Sequence, residues 1–253
     1  MALATARYAA QAGGAVIKAA GVGSHATESK GPGDYVTAVD RESEEVVVRI
    51  LSSVFPEVPI LAEERGGEML ESGWVVDPLD GTTNFSRGFQ MVGVSVALLE
   101  GGEPVVGVVH APFLGFTFTA MVGGGAHDQA GRRLQLHHSE PRRAVVSTGF
   151  PFKTPERVPQ LVATLERVLG RVEDARRTGA ASLDLALTAA GVFDGYFELG
   201  LKVWDIAAGA LLVTEAGGVV SDWDGKPGLP RSGDIVAGSP LVHAALLEAT
   251  STG

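Results

Sequence analysis

The chain has 253 residues, of which 45% are hydrophobic and 20% charged, and its formal net charge is −10. This composition excludes wholesale disorder, and the acidic balance argues against nucleic acid as a partner, since such sites need basic patches. There is no cysteine, which removes thiolate catalysis, disulfides and zinc–sulfur sites, and no apolar run approaches the roughly 18 residues of a spanning helix.

Residues 2–20 are Ala-rich and carry Arg7 and Lys18 with no continuous apolar block between them. They read as an amphipathic helix rather than a signal peptide, so a cytoplasmic protein is expected. Thr37 followed by Asp40 resembles a capping box, and the stripe Val47, Ile50, Leu51, Val54 carries the helix it opens to about Val54. Pro59–Ala62 and Trp74–Val76 are short apolar runs of strand type. Val92–Leu99 and Val105–His110 flank Glu100-Gly101-Gly102-Glu103 and predict a hairpin. Gly123-Gly124-Gly125 and Gln129-Ala130-Gly131 mark the next turns.

Beyond about Pro141 strands and helices alternate. Val145–Thr148 and Val192–Glu198 predict strands, with further strands near Val219 and Ile235. Pro155–Leu169, Ser182–Ala190 and Trp204–Ala216 predict helices, and a last one starts at Pro240. An α+β half over residues 1–140 followed by an α/β half over 141–253 is expected.

The chemistry centres on Asp77-Pro78-Leu79-Asp80-Gly81-Thr82-Thr83-Asn84-Phe85. Residues three apart on a regular strand face opposite ways. Pro78 ends ladder pairing, so the chain is expected to turn just after Asp77 and bring Asp77, the Leu79 carbonyl and Asp80 to one point. Oxygen-only donors suit Mg²⁺ or Mn²⁺ rather than zinc. Gly81 allows close backbone approach, and Thr82 and Thr83 begin a short helix whose free N–H groups face an anion. A type I turn with capping acids is the structural alternative for a bare D-P-x-D. Asn84, the one asparagine in the chain, lies in this segment. Loss of Asn and Cys fits either a thermophilic source or biased codon use.

The full nonapeptide resembles the motif of the inositol monophosphatase family, lithium-sensitive Mg²⁺-dependent phosphatases. Four further blocks agree, in family order over about residues 30–220. Lys30 with Asp34-Tyr35-Val36-Thr37-Ala38-Val39-Asp40 looks like the family's D-x-V-T-x-x-D segment. Ile60-Leu61-Ala62-Glu63-Glu64 is similar to its strand ending in a metal-binding glutamate. Arg176 to Ala186 is similar to its G-S/T-A-A-L-D-L-A helix start, and Trp204-Asp205-Ile206-Ala207-Ala208-Gly209 matches its W-D-x-A-A-G.

The resemblance implies a layered α-β-α-β-α sandwich and a homodimer. It implies two or three Mg²⁺ ions, with Mn²⁺ as a substitute. Glu63, Asp77 and the Leu79 carbonyl would hold the first, Asp77, Asp80 and Asp205 the second, and a third would lean on Glu63. Thr82, bonded to Asp40, would orient the attacking water with Glu63 assisting, and Gly81 and Thr82 would cradle the phosphate. Asp80, Glu198, Asp205 and the backbone of Gly179, Ala180 and Ala181 would take substrate hydroxyls. Electrostatics point the same way: each pair of carboxylates at about 4 Å repels by about 4 kcal/mol at an effective dielectric near 20, so converging acids call for cations.

Two departures bear on substrate choice. Ala180 stands where relatives have Ser or Thr, with Ser182 two places on, and Phe89-Gln90-Met91-Val92 replaces F-P-H-F. The implied substrate is inositol 1-phosphate or a similar small sugar phosphate. Fructose 1,6-bisphosphate is the nearest alternative, and a regulatory protein-binding module is the alternative of another class. Asp205 before its helix and Asp40 in a first turn also read as plain helix-terminal acids.

Overall fold

A computed structural model describes residues 1–23, 25–31 and 34–250. Helix α1 (Ala2–Ala20) buries Ala6, Ala9, Ala10, Gly13, Gly14 and Ile17 on one stripe. These small residues let α2 (Ala38–Val54) approach so closely that a Cβ at Gly13 would lie 2.8 Å from a Val47 methyl. Thr37 caps α2, and the Asp40 carboxylate returns to the Thr37 N–H at 2.9 Å, closing the expected capping box. Ahead of it lies a two-stranded hairpin, β1 (Glu28–Gly31) and β2 (Asp34–Val36), which sequence patterning did not indicate.

A six-stranded sheet follows in chain order: β3 (Ile60–Ala62), β4 (Gly73–Asp80), β5 (Gly93–Glu100), β6 (Glu103–Ala111), β7 (Phe116–Met121) and β8 (Gly125–His127). Only the β3–β4 pair of this sheet is parallel. Every residue of β4 is buried, because helices cover both faces. The short helix α3 (Thr82–Ser86) leaves the end of β4.

A five-stranded sheet is built from β9 (Val145–Thr148), β10 (Asp174–Arg176), β11 (Gly195–Glu198), β12 (Val219–Ser221) and β13 (Ile235–Gly238), in the order β10-β9-β11-β13-β12. Helices α5 (Ala181–Ala189) and α6 (Val203–Glu215) lie between the two sheets, while α4 (Val158–Leu169) and α7 (Pro240–Thr250) cover the outer face of the second. With α1 and α2 on the far face of the first sheet, the layers run α-β-α-β-α. All nine residues of α5 are buried. The largest core cluster joins Val75, Ala97 and Val109 of the first sheet to Leu183, Ile206 and Leu212 of the central helices, so the two halves share one interior.

Two sequence expectations change. The strand expected over Val192–Glu198 begins only at Gly195, because Val192 donates back to the Leu187 carbonyl and closes the end of α5, with Gly191 at φ +74°. Pro78 does not end the β4 ladder either. Asp77 pairs with Ser95 and Asp80 with Gly93, so three steps on β4 oppose two on β5. The extra residue makes a β-bulge, which restores a common face to two acids that a regular strand would aim apart.

Candidate active site

The bulge opens onto a cavity of about 430 Å³ lined by Glu63, Asp77, Leu79, Asp80, Gly81, Thr82, Gly179, Ala181, Glu198 and Asp205. Every metal-ligand residue expected from the sequence therefore meets one space, although the turn after β3, β4 and α6 supply them from distant parts of the chain. Asp40 stands behind this wall, 1% exposed. Ala180, also 1% exposed, is behind it too: its carbonyl accepts from the Asp184 N–H, and its methyl belongs to the core.

Helix α2 organises the acid side through one stripe, Asp40, Ser43 and Glu44. The Thr82 hydroxyl lies 2.8 Å from Oδ1 of Asp40, whose Oδ2 accepts from Thr37. Ser43 donates to the Pro78 carbonyl at 2.8 Å and so ties the bulge to the helix. Glu44, 3% exposed, accepts from the Glu64 N–H at 2.8 Å and from Arg65, holding the turn that presents Glu63. Ser43 and Glu44 were not read from the sequence as site residues. Their signal was the three- and four-residue spacing from Asp40, which places all three on one helical face.

Asn84 and Ser182 join the halves. The Asn84 amide donates to the Met91 carbonyl at 2.7 Å and the Thr178 carbonyl at 2.9 Å. Ser182 offers both its N–H, at 2.7 Å, and its hydroxyl, at 2.6 Å, to Oδ2 of Asp80. The hydroxyl missing at Ala180 is thus present two residues later, on a carboxylate. Asp205 is not the helix N-cap: it is the third helical residue, and its Oδ2 accepts from the Lys202 N–H at 2.7 Å.

Burial and mutual repulsion govern the acids. Burial raises Asp77 well above the ordinary carboxyl range, reinforced by Glu63, Asp80 and Asp205. Burial lifts Asp80 to about 6 in spite of the two Ser182 bonds. Asp205 is driven well up by burial, Glu63 and Asp80, and Asp40 upward by burial against its threonine bonds. Glu63 meets cations, with the Lys30 ammonium at 3.3 Å and that of Lys153 at 3.7 Å.

Among the described residues no three acid or histidine side chains already close round a single point. The carboxylates of Asp80, Asp205 and Glu63 are turned to Ser182, Lys202 and the two lysines. The donor set still fits Mg²⁺ or Mn²⁺: buried carboxylates that raise one another's proton affinity, together with the Leu79 carbonyl, are all hard oxygen donors. Side-chain rotation is what such an ion requires of them.

The opposite wall comes from residues the sequence did not single out: Phe150, Phe152, Lys153, Thr154, Leu199, Gly200 and Leu201. Arg177 also lies there, its guanidinium over the rings of Phe150 and Phe152 at 5.3 and 5.5 Å. These residues follow the ends of β9, β10 and β11, and loop positions of this kind carry no periodic signal.

Residues 2–252 match the family model described as "Inositol monophosphatase family". A Nus factor SuhB from Vibrio cholerae is 43% identical over 88% of this chain and 84% of its own. An inositol-1-monophosphatase from Mesorhizobium japonicum is 42% identical over 87% and 84%. The crystal structure of the extragenic suppressor protein suhB from Bartonella henselae superposes with a TM-score of 0.91 at 36% identity, covering both chains completely. The chain belongs to the inositol monophosphatase family.

Proposed function

We propose that this family member is a Mg²⁺-dependent phosphatase that hydrolyses a phosphate monoester of a small polyol, with inositol 1-phosphate as the leading substrate. The observation that carries the reading is the β4 bulge. It puts Asp77, Leu79 and Asp80 on a cavity shared with Glu63 and Asp205, beside the Thr82–Asp40 pair.

Glu63, Asp77 and the Leu79 carbonyl would hold one Mg²⁺ or Mn²⁺, and Asp77, Asp80 and Asp205 a second, with a third leaning on Glu63. Such ions supply a Lewis acid that acidifies water and neutralises phosphate charge. The chain's own residues do the rest. A hydroxyl has one proton to give; with that of Thr82 directed to Asp40, its oxygen faces the cavity as an acceptor. Thr82 therefore fixes the attacking water by accepting from it. Asp40, whose proton affinity burial has raised, takes the Thr82 proton as Thr82 takes one from the water, and Glu63 assists from the turn after β3. The N–H groups of Gly81 and Thr82 at the start of α3 donate to phosphate oxygens. Asp80, Asp205, Glu198 and the backbone of Gly179 and Ala181 receive the leaving group's hydroxyls. The attack is in line, and positioning with electrostatic stabilisation supplies the acceleration.

The test is a panel of inositol 1-phosphate, fructose 1,6-bisphosphate and adenosine 3′,5′-bisphosphate with Mg²⁺. Highest kcat/KM on the inositol ester supports the reading. Faster turnover of the adenosine nucleotide than of every sugar phosphate overturns the polyol-ester reading. Inhibition by Li⁺ and a homodimer in solution belong to the same reading, checked by kinetics and light scattering. Relatives named as Nus factors favour a second reading, a regulatory role through a protein partner. Absence of hydrolysis at every Mg²⁺ or Mn²⁺ level would leave that reading in place of the first.

A further inference from the structure

Glu198 is held from two sides by residues that do not line the cavity. It lies at the end of β11, and Tyr196 precedes it by two, on the same face of the strand. Tyr196 is 0% exposed, and its hydroxyl donates to Oε2 of Glu198. Among the described residues no other hydrogen bond reaches this carboxyl, which leaves Oε1 as the acceptor offered to the cavity.

On the other side is Gly149, just beyond the end of β9. A Cβ built there would fall 2.0 Å from the carboxyl carbon and from both oxygens of Glu198. Gly149 is not a residue of positive φ, so its backbone conformation does not call for glycine. The missing side chain is the space that the carboxyl occupies. Behind the pair, Asp184 is 1% exposed, and burial raises its proton affinity well above normal.

We propose that Tyr196 and Gly149 are positioning residues that fix Glu198 as a one-oxygen acceptor for a leaving-group hydroxyl, and that they thereby set preference for polyol esters over esters whose leaving group has no hydroxyl. The inference rests on the phosphatase reading and assigns the selectivity of that same site. Tyr196→Phe keeps the buried ring and releases the carboxyl. Gly149→Ala pushes the carboxyl from the opposite side.

The experiment measures kcat and KM for the wild type, Tyr196→Phe, Gly149→Ala and Glu198→Ala on inositol 1-phosphate and on phenyl phosphate with Mg²⁺. Each positioning variant is expected to raise KM for the inositol ester about tenfold, the scale of one charge-assisted hydrogen bond misdirected, with phenyl phosphate kinetics within about twofold of wild type. The double variant Tyr196→Phe/Glu198→Ala should lose no more than Glu198→Ala alone. Equal losses on both esters, or unchanged KM for inositol 1-phosphate in both positioning variants, overturns the inference. Phenyl phosphate reports separately on the phosphatase reading: if the wild type hydrolyses neither ester, that reading fails and takes the selectivity with it. If it hydrolyses phenyl phosphate with no preference for the polyol ester, only the selectivity fails.

Discussion

The Thr82 hydroxyl sits 2.8 Å from Oδ1 of Asp40, across 42 residues of sequence, and 3.2 Å from the Leu79 carbonyl. The shorter contact, to a carboxylate, is the stronger acceptor for its one proton. Thr82→Ala removes the oxygen proposed to orient the attacking water and leaves the helix and bulge in place. We expect kcat to fall by about 10²–10⁴-fold, the usual worth of a positioned proton-transfer group, with Thr82→Ser within about tenfold of wild type. A Thr82→Ala enzyme with wild-type kcat would remove Thr82 from the chemistry.

Asp80→Asn separates charge from shape. Ser182 donates to Asp80 through both N–H and hydroxyl, and an amide oxygen still accepts from them. The fold should therefore survive, while the charge of a proposed ligand disappears from the cavity. Expected are a kcat lower by orders of magnitude and a metal-free protein melting a few degrees higher, because Asp77 and Asp205 lose a repelling neighbour. A kcat within tenfold of wild type, by the same phosphate-release assay, would count against Asp80 as a ligand.

The raised acids also fix a pH dependence. In the folded chain Asp80 sits at about 6 and Glu198 at about 7, both pushed up by burial, whereas unfolded Asp and Glu titrate near about 4. Between those limits the folded state binds more protons than the unfolded state, so stability falls as pH rises. The metal-free protein should lose roughly 5 °C or more in Tm from about pH 5 to about pH 8. Saturating Mg²⁺ should recover more at the upper end than the lower, since cations replace protons between the acids. Calorimetry at several pH values checks this; a metal-free Tm that rises over the same window would contradict the sign.

Much of this site was legible in the sequence, and the reason is local. Asp77 to Phe85 form one contiguous string, and Glu63, Asp205 and the Thr37–Asp40 box each stand at the terminus of a strongly patterned element. The pairing of Thr82 with Asp40 follows from a hydroxyl that requires a carboxylate. What was not legible came from geometry between elements. A proline after Asp77 reads as the end of a strand, but neighbouring β5 can absorb one extra residue, and only the register of Ser95 and Gly93 reveals the bulge. The role of Ser182 as donor to Asp80 was not legible, because the direction of a first-turn side chain depends on where α5 lies against β4. Gly149 and Tyr196 carry no motif, and their meaning appears only where β9 and β11 run side by side.

Asp205 depends on a close approach that one glycine permits. It lies in the first turn of α6, one turn before Ala208, and a Cβ at Gly107 on β6 would fall 2.8 Å from the Ala208 carbonyl oxygen and 3.1 Å from its Cα. Both are backbone atoms, so no side chain can swing aside, and Gly107→Ala must move the helix off the sheet by a few tenths of an ångström. Overpacking of this kind costs about 1–3 kcal/mol, or roughly 2–10 °C in Tm for a chain of this size. The displacement carries Asp205 away from Asp77 and Asp80 on the sheet. The variant should therefore need several-fold more Mg²⁺ for half-maximal activity, while Gly101→Ala, in the β5–β6 turn where a Cβ meets nothing within 4 Å, leaves that requirement unchanged. An activity titration on both variants gives the comparison. If Gly107→Ala lowers Tm without moving the Mg²⁺ midpoint, then Asp205 is not placed by this contact, and the position of α6 on the sheet is a matter of stability alone.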